Sequence, residues 1–185
     1  MAFLETAIGL FPDVGGTYFL PRVFNKDPSI GLYMALTGEK IKGKDLAKCG
    51  VATHFVSSEK LENLKSTIIE KSKDDVSLQQ LQDIVSEFSE VIYSPKDFWF
   101  PKGDEIKRTF IPDDLNEVFT RLQRLIENGS EGEQAWAQNT LNSLNSYSPL
   151  SLVVTFEQIK KGIKIKSLEE AYNIEAQMIS AYEKS

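Results

Sequence analysis

The sequence is poor in residues that commonly do chemistry by themselves. It has one cysteine, Cys49, and one histidine, His54. A single cysteine excludes an internal disulfide and fits a reducing compartment. One His, one Cys and scattered carboxylates do not make a ligand set, so no metal is expected. No phosphate-loop fingerprint occurs. No apolar run approaches the ~20 residues of a membrane span, so no membrane partner is expected. Positive charge is in deficit, with 21 Lys and Arg against 27 Asp and Glu and a net charge of −6. Nucleic-acid binding rests on cations neutralising phosphates, so no nucleic-acid partner is expected either. The basic run Lys160 to Lys166 reads as a solvated helix end and loop. The opening residues Met1-Ala2-Phe3-Leu4-Glu5 carry no charged or Arg-rich targeting signal.

What is present is a chain of 185 residues, 41% of them apolar, enough for one domain with a sizeable core. The pattern is mainly α with minor β. Asp13 reads as the N-cap of a short helix through Phe19. Asp27-Pro28 opens a second helix that Gly38 ends. Lys44–Lys48 is a short helix closed by Gly50. Val51 to Val56 is β-rich and is expected to be a strand. Helices are expected over 58–71 and 77–90. Residues 91–112 hold three prolines and the aromatics Tyr93, Phe98, Trp99 and Phe100, and read as a long irregular loop. Four helices follow. The first is capped by Asp113 or Asp114, the second spans 131–144, the third starts at Pro149 and the last is capped by Ser167 with Glu170. In the last helix Leu168, Ala171, Tyr172, Glu175, Met178, Ile179 and Tyr182 lie close to one stripe. Three parts are therefore expected: 1–90, the loop 91–112, and a helical region 113–185.

Chemistry is densest at 5–17. Glu5 and Asp13 lie among Phe3, Leu4, Ala7, Ile8, Leu10, Phe11 and Val14. Carboxylates in apolar surroundings are costly to keep charged, which suits such groups to acid–base work near neutral pH. Gly15 and Gly16 permit close approach of a ligand. On residue types alone, a helix cap is the plainer reading of Asp13. Cys49, beside Leu46, Ala47 and Val51, reads as a buried structural thiol. His54 reads as structural, and Met34, Trp99 and Trp136 as core.

The stretch Glu5-Thr6-Ala7-Ile8-Gly9-Leu10-Phe11-Pro12-Asp13-Val14-Gly15-Gly16, followed by Tyr18-Phe19-Leu20-Pro21-Arg22, resembles the 3-hydroxyisobutyryl-CoA hydrolase family of the crotonase (enoyl-CoA hydratase/isomerase) superfamily. The resemblance continues through Leu36-Thr37-Gly38, Lys42 to Asp45, Gly50 to Val56 and Ser148 to Leu152. It implies a crotonase-like α/β fold, a ββα spiral plus a helical C-terminal region, of which this chain would be the C-terminal part. It implies catalytic carboxylates at Glu5 and Asp13, and substrate binding near Gly15 and Gly16. Glu5 would act as base towards water or attack the thioester itself. Asp13 would bind the substrate's 3-hydroxyl or assist proton transfer. The implied substrate is an acyl-CoA, with coenzyme A as part of the substrate and no other cofactor. The implied setting is mitochondrial valine breakdown. The backbone N–H groups that hold the oxyanion lie in family segments preceding Glu5, so this chain is expected to lack that hole and to be inactive alone. The implied partners are the N-terminal part of the same protein and further copies of it. Two alternatives stay open: a non-catalytic subunit of the mitochondrial small ribosomal subunit, and an enoyl-CoA hydratase or isomerase. With the N-terminal part absent, an exposed apolar patch is expected near residues 3–19.

Overall fold

The computed structural model describes residues 1–24, 26–72, 76–90, 100–111 and 113–182. These form two compact units, Met1–Ile41 with Pro101–Ser185, and Lys42–Phe100.

In the first unit a 3-10 turn over Thr6–Ile8 leads to α1 (Gly16–Val23) and α2 (Pro28–Thr37). After the return at Pro101 come α6 (Gly103–Thr109), α7 (Leu115–Asn128), α8 (Glu131–Ser146), α9 (Pro149–Gly162) and α10 (Leu168–Tyr182). Local signals start most of these helices. Asp27 accepts from the Ser29 N–H at 3.0 Å, Asp114 from Asn116 at 2.9 Å and Ser148 from Ser151 at 3.4 Å. Ser130 and Glu133 form a reciprocal capping box at the start of α8.

The centre of this unit is α2, which is buried from Ser29 to Leu36. It packs on α1, α6, α8 and α9. Two close approaches set the helix spacing. A Cβ added at Gly31 of α2 would lie 2.1 Å from the Leu20 carbonyl oxygen, and one at Gly162 of α9 would lie 2.1 Å from that of Thr17. The second carbonyl is left without its helical donor, because Pro21 lies inside α1 and has no N–H. Arg22 ties the same two helices together by donating to Gly162 O and, within α1, to Tyr18 O, both at 2.8 Å. Tyr33, Phe110 and Trp136 form an edge-packed cluster, so Trp136 is structural as expected, and Met34 is fully buried.

The second unit holds α3 (Lys44–Lys48), a 3-10 turn over Ser58–Lys60, α4 (Leu61–Lys71) and α5 (Leu78–Phe88). Ser77 and Gln80 cap α5 reciprocally. The strand expected over Val51 to Val56 is absent, and no strand occurs among the described residues. The physical reason lies in its backbone donors: the N–H groups of Val51 and Ala52 both donate to Leu46 O, closing the end of α3 instead of joining a ladder. The irregular loop expected over 91–112 falls partly on residues 91–99 and 112, outside the described residues, as does Trp99. Residues 103–109 of it are helical, with Ile106 and Thr109 buried. Cys49 is buried as expected. Burial pushes its thiol up to about 11, with Asp45 adding and Lys48 opposing. His54 is exposed and joins the hydroxyls of Thr53 and Ser86 at 2.9 and 3.3 Å, fastening the 51–56 segment to α5.

Candidate active site

Glu5 sits just before the Thr6–Ile8 turn, and Asp13 just before α1. The two carboxylates line one cavity of about 450 Å³, together with Gly15 and Gly16. Phe3, Val14 and Phe19 supply apolar wall from the same segment, and Leu168 and Tyr172 supply it from α10. All four expected site residues therefore meet in space. One oxygen of Glu5, Oε2, is buried without a hydrogen-bond partner among the described residues. A carboxylate oxygen withheld from water and left unpartnered is costly, and costs less once a ligand supplies a donor. Among the described residues, the Asp13 carboxylate likewise makes no hydrogen bond.

The helix cap expected of Asp13 is not what the structure holds. The N-cap of α1 is Gly15 in a left-handed conformation (φ 90°), without a side-chain hydrogen bond of its own. The free N–H groups at this end are taken instead by Glu175 of α10. Its Oε2 accepts from Gly15 N–H at 2.9 Å, and its Oε1 accepts from Thr17 N–H at 3.0 Å and the Thr17 hydroxyl at 2.6 Å. Glu175 is only 3% exposed, and no cation pairs with it among the described residues. Relieved of capping, the Asp13 side chain is left facing the cavity. Gln158 of α9 holds the same turn by donating to the Pro12 carbonyl and the Thr17 hydroxyl. Glu175 and Gln158 are the site residues that no sequence signal named. The sequence marks Glu175 only as a lone carboxylate in the apolar stripe of α10, four residues after Ala171.

A second cavity of about 400 Å³ is lined by Arg108, Arg121, Arg124 and Glu133. Its guanidinium groups already have carboxylate partners. Arg108 pairs with Glu133, while Arg121 and Arg124 pair with Glu117 at 3.0 and 3.7 Å. The cavity lined by Glu5 and Asp13 differs in that neither residue pairs with a cation among the described residues.

Residues 1–184 match the enoyl-CoA hydratase/isomerase family model, and the chain belongs to this family. It is similar to a carnitinyl-CoA dehydratase from Mycobacterium thermoresistibile, with a TM-score of 0.71 and 26% identity over 93% of this chain and 45% of that one. Within the family it resembles the mitochondrial 3-hydroxyisobutyryl-CoA hydrolase of Dictyostelium discoideum, 40% identical over 94% of this chain and 43% of that protein. It also resembles small ribosomal subunit protein mS47 of Neurospora crassa, 34% identical over 100% of this chain and 37% of that protein. The chain thus spans less than half the length of these relatives. The resemblance read from residues 5–22 is borne out: relatives named for acyl-CoA substrates and one named as a ribosomal subunit protein both match the chain.

Proposed function

We propose that the whole protein containing this chain hydrolyses the thioester of 3-hydroxyisobutyryl-CoA in the mitochondrion, with Glu5 and Asp13 as its working carboxylates. The observation that carries the reading is their convergence on one cavity, with a Glu5 oxygen buried and unpartnered. The identity to a hydrolase named for this substrate supports the choice of ester.

Glu5 acts in one of two ways. As a general base it takes a proton from water while the water oxygen bonds to the thioester carbon. The tetrahedral adduct then expels the CoA thiolate, which leaves with a proton. As a nucleophile, its carboxylate oxygen bonds to that carbon and expels thiolate, leaving an acyl–Glu5 anhydride that water hydrolyses. Asp13 accepts a hydrogen bond from the 3-hydroxyl or assists the proton transfer. The acyl chain lies against Val14, Phe19 and Leu168, with Gly15 and Gly16 allowing its close approach. The oxyanion donors belong to sequence preceding Glu5 in the whole protein, which also covers the apolar side chains around residues 3–19. No cofactor is needed beyond the coenzyme A of the substrate.

The test is thiol release from 3-hydroxyisobutyryl-CoA by the full-length protein. Glu5→Gln should lower turnover by about 10²-fold or more, the usual contribution of a positioned base, while CoA-ester binding is retained. Unchanged turnover in that variant refutes the assignment. The similarity to mS47 favours a second reading, a ribosomal subunit, which would show as co-sedimentation with mitochondrial small subunits and no thiol release. A hydratase would consume an enoyl-CoA without releasing thiol.

A further inference from the structure

Val14 is a β-branched residue at φ 55° and is 81% exposed. The left-handed region disfavours such residues, and within this chain the Val14 side chain does not repay the strain by packing. Hydrogen bonds on both sides hold this turn. Gln158 of α9 donates to the carbonyl oxygen of Pro12, and to the Thr17 hydroxyl at 2.8 Å. That hydroxyl donates onward to Glu175, which also accepts from the N–H groups of Gly15 and Thr17. The backbone is therefore gripped immediately before Asp13, at Pro12, and just after Val14, at Gly15. Asp13 and Val14 form the arch between the two grips. The gripping carboxylate is buried and has no cation among the described residues, so its stability rests on those three donors and on the N-terminal end of α1.

We infer that Glu175 is a positioning residue that sets substrate preference: through Gly15 and Thr17 it holds the strained Asp13–Val14 arch so that Asp13 meets the substrate's 3-hydroxyl. The inference rests on the hydrolase reading above and takes the branch in which Asp13 binds that hydroxyl. Isobutyryl-CoA, which lacks the hydroxyl, has nothing for Asp13 to bind. A group that acts by placing Asp13 should therefore matter much more for the hydroxy ester than for isobutyryl-CoA.

The experiment compares kcat/KM for 3-hydroxyisobutyryl-CoA and isobutyryl-CoA in the full-length protein. Glu175→Gln keeps the side-chain volume but turns an amide donor towards Gly15 N–H or the Thr17 donors. Its expected result is a fall of about tenfold or more for the hydroxy ester, in line with the cost of ångström misplacement, and a distinctly smaller fall for isobutyryl-CoA, whose chain meets Val14 but not Asp13. The preference ratio then collapses. Thr17→Val, which removes only the bridging hydroxyl, should lower the ratio in the same direction by less, and it decides the matter if Glu175→Gln does not fold. An equal loss on both esters, or an unchanged ratio in both variants, overturns the positioning role. If Glu5→Gln leaves thiol release intact, or the wild-type protein shows no preference for the hydroxy ester, the underlying reading fails and this inference falls with it.

Discussion

Glu175 and Cys49 are both buried. Three donors are aimed at the two oxygens of Glu175, so its polar atoms are satisfied. Burial raises the Cys49 thiol to about 11, because it disfavours the thiolate. The thiol is the reactive species only when ionised. At pH 8 the native protein should therefore react with iodoacetamide roughly a hundredfold more slowly than an ordinary thiol, from ionisation alone. In denaturant the ordinary rate should return. Rapid alkylation of the native protein would show that Cys49 is open to solvent and ionised.

At the scale of the element, helix starts were largely legible because their chemistry lies within a turn. Asp27, Asp114 and Ser167 each precede a helix at a cap the sequence marks, and helices also begin at the starts expected near Ser77 and at Pro149. The failures have a common origin. The end of α1 was assigned to Asp13 because that residue lies nearest in sequence, yet its cap comes from a side chain about 160 residues away. A β-rich composition at 51–56 could not reveal that those N–H groups close α3. The prolines around residues 103–109 point to a loop, yet these residues form a helix that packs on α2.

The capping box of α8 yields a pH prediction at this same scale. Hydrogen bonds from the Ser130 hydroxyl and N–H, then that from Arg108, lower the Glu133 carboxyl from 4.5 to about 2. A carboxyl lowered by folding contributes stability above its unfolded pKa, and this is lost as pH falls through its folded pKa. The gap in melting temperature between wild type and Glu133→Gln should therefore be full above about pH 4.5 and close as pH approaches 2. A gap independent of pH would show that the ionised carboxylate is not what caps α8.

For the whole molecule, the expected apolar exposure is present: Leu4, Ile8, Leu10, Val14 and Phe19 are all exposed, Ile8 to 72%. Exposed apolar side chains concentrated in one segment mark a surface that another protein surface covers. The 185-residue chain by itself should accordingly bind a hydrophobic dye and sediment above its monomer mass, and the full-length protein should bind far less dye. Equal dye binding by both would mean that the remaining sequence leaves this surface open.

The sequence by itself determined the family, the positions of most helices and the pair of carboxylates in a Gly-rich apolar segment. Those features depend on residues within a few positions of one another. Only the tertiary structure decided that Glu5 and Asp13 share a cavity, that α10 supplies part of its wall and that Glu175 and Gln158 grip the turn between Pro12 and Thr17. These arrangements arise when helices from opposite ends of the chain pack together. No local pattern encodes which buried N–H groups a distant carboxylate will find.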